Sequence, residues 1–352
     1  MPLISSAPVG LDIGASAVRA ARITTSKRGA ALSTFAQVAL PSGAVVDGEI
    51  RDPGVVSEAI AELWKRARLR SKKAVIGVAN QRVVVRQVEM PYLQEAELRA
   101  SLPFQAGEHI PMPVEGAQLD FQIINDYLND EEHMMRVLLV AAEREMLETF
   151  ISTASAAGIE TVSVDLAPFA AARAVSSAAR GEIGMDGAEA IVDVGAAMTN
   201  IVVHHNGDPH FVRILPLGGG EPTDALADHL GVTADEAEAV KTELSAGVGS
   251  TGPRRLMHEH VVELANEIRG SLDYYSASDE SESLTSVILT GGGSLIPGLV
   301  EQLEASLNTQ VRRATPLDDV DVSRSGLTPE QVEQIEPVAA TAIGLVRDKS
   351  VR

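Results

Sequence analysis

No cysteine occurs in the chain. Disulfides and thiolate metal sites are therefore excluded, and the composition suits a reducing compartment. Aromatic residues make up only 3%, so a core has to be assembled from Ala, Val, Leu and Ile. Positive charge is scarce too: 29 Lys and Arg stand against 49 Asp and Glu, a formal net charge of −20. That balance opposes nucleic acid, whose backbone demands a basic face. One basic cluster, KRARLRSKK at 65–73, breaks the pattern. It reads first as a solvated helix end, with an acidic partner or a membrane surface as the alternative. No stretch passes as a membrane span: the uncharged run 29–46 is interrupted by Ser33, Thr34, Gln37, Pro41, Ser42 and Gly43. MPLISSAPVG lacks the basic and apolar regions of a signal peptide, and no amphipathic anchor follows Leu345. GxxxxGK[ST], GxSxG and HExxH are all missing, which leaves P-loop, α/β-hydrolase and zinc-protease readings without support. His258 and His260 stand two apart on a helix and face different ways.

What is present is a duplicated segment. VGLDIGASAVRAARI (9–23) and AIVDVGAAMTNIVVH (190–204) each run from an apolar strand through Asp-(Ile/Val)-Gly-Ala into a second apolar run. Gly14 and Gly195 permit backbone angles other residues resist. The small residues Ala15 and Ser16, and Ala196 and Ala197, let main-chain N–H groups approach phosphate oxygens. Asp12 and Asp193, one at each strand end, suit a magnesium ion held through its water shell. A lone D-x-G is ordinary; two with matching flanks predict an anion clamped between two lobes. A third segment, SVILTGGGSLIPGL (286–299), runs an apolar strand into Gly291, Gly292, Gly293 and Ser294. Bare backbone there admits a flat ring, and a helix N-terminus behind it favours negative charge.

These segments, in this order, resemble the actin-like ATPase superfamily. The resemblance makes Asp12–Gly14 and Asp193–Gly195 the two phosphate loops and Gly291–Ser294 the adenosine loop. It places Glu238 of AEAVK (237–241) at the ribose and Lys241 beside the base, and gives Arg19 a phosphate-directed role. Within the superfamily the chain is similar to the PilM family of type IV pilus assembly proteins, related to the cell-division protein FtsA. That likeness rests on GLDIGASAVRA, LPFQAGEHIPMPVEGAQLDFQII (102–124), ETVSVDLAPFAAARA (160–174) and PVAATAIGLVRD (337–348). It implies ATP and Mg as cofactors. It implies as partner the cytoplasmic N-terminal tail of a PilN-like inner-membrane protein, which would hold the chain at the membrane from the cytoplasmic side. Self-association is a further possibility. Asp12, Asp193 and Asp165 are the candidate catalytic residues. Asp165, at a strand end, either aligns a water or caps the following helix, and the cap is preferred. Turnover is expected to be weak or absent, because few side-chain hydroxyls line the loops.

The expected fold class is α/β, two lobes around a nucleotide cleft with an extra FtsA/PilM-type subdomain. Residues 1–73, 160–185 and 328–352 are assigned to the first lobe. Residues 74–159 form an inserted β-β-α-β-β-α subdomain. The second lobe takes 186–222 and 282–327, with a helical part at 223–281. A helix is expected at 52–69, with Asp52 as N-cap, and one at 94–109 that is kinked or starts late at Pro103 and Gly107. A Gly-rich connector is expected at 180–187, loops at 246–253 and 315–329, helices at 297–307 and 335–348, and a hairpin turn at Asn206-Gly207. Two other functions fit the phosphate loops: a sugar or carboxylate kinase, for which no substrate segment is visible, and an FtsA-like filament protein.

Overall fold

The computed structural model describes residues 7–26, 29–129, 132–181, 187–245, 251–278 and 281–347. The chain opens with β1 (Val9–Ile13), β2 (Ala17–Ser26) and β3 (Gly29–Ala39), then the small ladder β4 (Val45–Val46) and β5 (Glu49–Ile50). Helix α1 (Pro53–Arg66) follows. Asp52 caps it by accepting the Val55 N–H at 3.0 Å, Pro53 takes the first turn, and Ile60, Leu63 and Trp64 form its buried face. Next come β6 (Lys73–Val78), β7 (Val83–Pro91), α2 (Glu95–Ala106), β8 (Ala117–Asn129), β9 (Glu132–Glu143), α3 (Arg144–Ala156), β10 (Glu160–Leu166) and α4 (Ala167–Val175). The second half holds β11 (Ala188–Val194), β12 (Thr199–His205), β13 (Asp208–Leu215), α5 (Glu221–Leu230), α6 (Ala234–Ser245), α7 (Thr251–Ser276), β14 (Leu284–Thr290), α8 (Leu299–Leu307), β15 (Gln310–Arg313), β16 (Val320–Asp321), α9 (Pro329–Ile335) and α10 (Ala340–Gly344).

The duplicated segments become duplicated sheets. In one sheet the order is β10-β6-β1-β2-β3-β16; in the other it is β13-β12-β11-β14-β15. Each is an antiparallel three-strand meander (β1–β3, β11–β13) whose first strand is joined on its other side by parallel strands (β6 and β10, β14 and β15). Asn206 and Gly207, with φ of 51° and 97°, make the tight turn expected between β12 and β13. Helices α4 and α10 are sandwiched between the sheets. Ala171, Ala174, Ala340 and Ile343 share a buried cluster with Ala21 and Phe35 of the first sheet and Ile191 and Ile288 of the second. Aromatic scarcity is met here by close packing of alanines.

Several expectations need correction. Strand 74–78 does not open the inserted subdomain: β6 lies between β1 and β10 in the first sheet. Its residues after Lys73 are buried on both faces, as an interior parallel strand requires. Helix α3 also leaves the insert, because Met146, Phe150 and Ala154 pack in the first-sheet core. The insert reduces to the sheet β7-β9-β8 with α2 over its own core of Leu98, Leu102, Met135 and Val137. Helix α2 does not start late; Glu97 accepts the Gln94 N–H at its start, Pro103 sits inside, and Gly107 ends it. The expected 335–348 helix reduces to α10, preceded by a separate turn at Glu336–Val338 that contains Pro337 and by α9, which ends at Ile335. Residues 315–329 include β16, paired with β3. Pro297 precedes α8, which starts after Gly298 at φ 83°. Most of the 180–187 connector and of the 246–253 loop lies outside the described residues, and Thr251–Pro253 belong to α7.

One buried polar network fastens the start of β11. The Glu189 carboxylate accepts the Ser177 N–H at 2.8 Å, the Ser177 hydroxyl at 2.7 Å, the Ser286 hydroxyl at 3.1 Å and His204 Nε2 at 3.1 Å, with Arg312 at 3.7 Å. Burial alone raises this carboxyl, but the His204 and Ser177 hydrogen bonds outweigh it and lower its pKa to about 2. A depressed acid contributes stability that is complete above its unfolded pKa of 4.5 and lost as pH falls toward 2. Glu189→Ala is therefore expected to destabilise the chain by on the order of 3 kcal/mol at neutral pH. In thermal melts, its deficit against the parent should shrink progressively below pH 4.5.

Candidate functional site

The two Asp-Gly turns are built alike. In each, the glycine N–H closes a tight bend onto a carbonyl three residues on: Gly14 to Ala17 at 3.0 Å, Gly195 to Met198 at 2.8 Å. Register then decides which side chain faces each aspartate across its hairpin. Asp12 lies opposite Arg19, and Asp193 opposite Asn200. Arg19 Nη1 stands 3.5 Å from Asp12 Oδ2, with side chains 14% and 18% exposed. Ala15 packs on the first core, while Ser16 is exposed and its carbonyl accepts the Leu40 N–H.

The fold brings the two aspartates into one electrostatic environment. Asp193 is lifted to about 6, first by burial and then by the negative charge of Asp12; Thr341, Arg19 and Asn200 pull the other way. Asp12 is also raised, burial outweighing the attraction of Arg19. The Thr341 hydroxyl, on α10, donates to Asp193 Oδ2 at 3.3 Å, so the helix between the sheets touches the second turn directly. Two polar atoms at this place are buried without a partner: Arg19 Nε, a donor, and Asn200 Oδ1, an acceptor. Two like-charged carboxylates beside unsatisfied buried polar atoms fit a cation together with a polar anionic ligand. Among the described residues no group of three or more His, Asp or Glu forms a metal cage. A hard cation here would take most of its oxygens from water and the ligand, as magnesium does.

The triple glycine joins the same place, but its residues divide the work differently from expectation. Gly291, at φ 82°, is pressed on the second turn: a Cβ there would lie 2.5 Å from Asp193 Oδ1 and 2.3 Å from the Val194 carbonyl oxygen. Its N–H is already given to the Pro337 carbonyl at 2.7 Å. A Cβ on Gly293 would meet Val194 at 2.3 Å. Gly291 is pressed on the Val194 backbone and Gly293 on the Val194 side chain, so neither has room for a Cβ; of the three, Gly292 alone is exposed. Ser294 is buried and donates its hydroxyl to the Gly291 carbonyl at 2.7 Å, which locks the turn. The helix expected behind is α8, and a single turn of 3-10 helix, Gly292–Leu295, intervenes between it and β14.

Sequence reasoning missed a fourth glycine run, Gly218-Gly219-Gly220. Gly219 and Gly220 donate their N–H groups to the carbonyls of Gly195 and Ala196 at 2.8 and 2.7 Å, and Gly219 lies against Gly293. Lys241 Nζ donates to the Gly219 carbonyl at 2.9 Å and the Thr223 hydroxyl at 2.7 Å; Glu238 accepts from Thr223 at 2.6 Å and pairs with Lys241. The AEAVK helix is thus docked on the second turn through this run. The signal was available: LGGGE (217–221) repeats the strand–glycines–helix order of the adenosine-loop segment. Asp165, on β10, lies in register with Gly77 of β6 and so with Asp12, two strands away in the first sheet. It is bound by Arg173 at 2.6 Å and accepts the Leu166 N–H at 2.8 Å. No side-chain cap is made at the start of α4, so the capping reading gives way to an ion pair along that helix.

With this geometry in view, comparison with known proteins is decisive. Residues 10–349 match the family described as type IV pilus assembly protein PilM. The chain belongs to the PilM family. A chain of a solved PilM–PilN type IV pilus biogenesis complex is 28% identical and superposes with a TM-score of 0.84, over 96% of this chain and 97% of that one. Cell division protein FtsA of Bacillus subtilis is 25% identical over 88% of this chain and 78% of its own length. FtsA of Escherichia coli is 23% identical, over 60% of this chain and 54% of its own length. MreB5 of Spiroplasma citri, solved with ADP, shares the fold at 13% identity and a TM-score of 0.52. The PilM-family chain therefore has the expected actin-like ATPase fold.

Proposed function

We propose that this PilM-family chain is a cytoplasmic scaffold of a type IV pilus assembly complex, peripheral to the inner membrane. On this reading it binds the N-terminal tail of a PilN-like membrane protein and carries magnesium-ATP between its sheets. The observation that carries the nucleotide part is the convergence of Asp12, Asp193, Arg19 and Gly291 on one place from three distant segments. The partner follows from likeness over nearly the whole chain to a protein solved as a PilM–PilN complex. Asp12 and Asp193 would hold magnesium through its water; Arg19 and the main chain at 14–16 and 195–197 would face the phosphates. Gly292 would lie under the adenine, and Glu238, 54% exposed, would reach the ribose. Bound magnesium would neutralise phosphate charge beside the two carboxylates. Lys241 is committed to Gly219 and Thr223, so it shapes the turn that the base approaches. Asp165 is held by Arg173 at 2.6 Å, which disfavours its aligning a water, and binding with lobe closure is the output proposed for the site.

Nucleotide would act by favouring the closed arrangement and thereby the shape of the insert built from β7, β8, β9 and α2. The test is pull-down of synthetic tail peptides of PilN-like proteins by the full chain with and without magnesium-ATP. Capture should be stronger with nucleotide, and phosphate release should stay near background in both the parent and Asp12→Ala. Equal capture in both conditions removes the switching role, and absence of capture removes the partner.

A further inference from the structure

On a chain of net charge −20, positive charge is gathered in one turn at the end of the first sheet opposite the cleft. β6 runs parallel to β1, so Lys73, which starts β6, lies at the far end from the Asp12–Gly14 bend that follows β1. Lys65, Arg66, Arg68, Arg70, Lys72 and Lys73 are all exposed. Two carboxylates accompany them: Glu62 pairs with Arg66 at 2.7 Å and Lys65 at 4.0 Å, and exposed Glu160 lies opposite Lys73 in the ladder. Among the described residues no ion pair engages Arg68, Arg70, Lys72 or Lys73.

The turn is held rigidly, with its cations outward. Leu69 and Ser71 are buried while Arg68, Arg70 and Lys72 alternate with them on the solvent side. Trp64 Nε1 donates to the Ser71 carbonyl at 2.8 Å, Leu69 N–H to the Trp64 carbonyl at 3.1 Å, and Glu160 N–H to the Lys72 carbonyl at 2.7 Å. Arg68 has φ +50°, left-handed backbone just past the end of α1, where glycine is the favoured residue. A long cation is kept there against its backbone preference, and an outlier of this kind points to a use.

We infer that this turn is a contact for an anionic lipid surface. A protein partner would need an apolar centre or a groove. The run 65–73 exposes no large apolar side chain. Two cavities in the structure lie in the second half, one of about 350 Å³ beside Leu272 and Thr309 and a small one beside Glu189 and His204. A row of cations held in place by these backbone bonds, making no ion pair among the described residues, suits a broad negative plane, to which each contributes about a fivefold gain in partitioning. The acidic remainder of the molecule is repelled by the same surface. Adsorption is therefore oriented, turn downward, and weakens with salt.

The experiment is co-sedimentation of the full chain with vesicles of phosphatidylglycerol and phosphatidylethanolamine, against vesicles of phosphatidylcholine alone. Binding to the anionic vesicles only, lost at high salt, is expected. The triple variant Arg68→Glu, Arg70→Glu, Lys72→Glu should bind about 100-fold more weakly. Arg68→Gly supplies the discriminating arm: its melting temperature should rise by about 1 °C as the backbone relaxes, while vesicle binding falls about fivefold. A purely structural Arg68 would leave vesicle binding unchanged. Equal binding to both vesicle types, an unaffected triple variant with a parent-like melt, or binding to a polyglutamate peptide without binding to vesicles each overturns the inference.

Discussion

At pH 7.5 the Asp193→Asn chain, free of nucleotide, is expected to melt about 3 °C above the parent while losing magnesium-nucleotide affinity by about 10- to 100-fold. Asp193 is an acid whose native pKa, about 6, exceeds its ordinary value of 3.8. The sign follows from linkage. Between those values the native state holds a proton that the unfolded chain releases, so stability is greatest below pH 3.8 and declines as pH rises through about 6. Above that range the native protein carries a buried charge facing Asp12, at a cost on the order of 2 kcal/mol once partial exposure is allowed for. Asparagine removes the charge and still accepts the Thr341 hydroxyl. Melting curves of parent and variant should therefore converge near pH 4 and separate above pH 6. Parallel curves across that range would mean that the Asp193 carboxyl is not raised by its burial and the neighbouring Asp12 charge. On the proposed reading the opposed effects on stability and affinity have one cause, since the charge that strains the nucleotide-free site is the charge a magnesium ion would need.

Gly344→Ala is expected to lower the melting temperature by about 4 °C, for a loss of about 3 kcal/mol. A Cβ at this position in α10 would stand 1.7 Å from the Ala170 carbonyl oxygen of α4, and one on Gly10 would stand 2.0 Å from the Ala342 carbonyl oxygen. The sandwiched helices thus touch backbone to backbone, and a single methyl has to drive them apart. The Gly344 carbonyl also accepts Arg173 Nε at 3.2 Å, which any separation breaks. Gly270, in α7, provides the contrast: nothing lies within 4 Å of its would-be Cβ, so Gly270→Ala should stabilise by about 0.5–1 kcal/mol. Similar melting shifts for the two variants would show that the α4–α10 contact is looser than its geometry indicates. Because α10 also carries Thr341, Gly344→Ala should weaken nucleotide retention as well.

How much of this was legible before folding depended on whether the information was local. Asp52, Pro53 and the spacing of Ile60, Leu63 and Trp64 announced α1 because capping and amphipathic period act within a few residues. Asn206-Gly207 announced its hairpin for the same reason. The continuous apolar run at 74–78 was visible, but its place between β1 and β10 was not, since the same pattern suits any interior strand. The triple glycine at 291–293 was found and its division of labour was not. Whether a glycine opens a surface or admits a neighbour's backbone depends on Val194, which lies far away in sequence. Gly218–Gly220 was overlooked although it carries the same pattern.

The amino-acid sequence by itself determined the two Asp-Gly hairpins, the small residues that follow them, the helix caps and the lone basic run, all consequences of short-range sterics and charge. Only tertiary structure decided that Asp12 and Asp193 lie within reach of each other's charge, that Thr341 bridges to Asp193, that Glu189 collects its donors, and that four cations at 68–73 make no ion pair among the described residues. Those properties arise from through-space electrostatics and close packing between segments remote along the chain. A carboxylate's environment is set by whatever the fold places around it, and no stretch of sequence contains that list of neighbours.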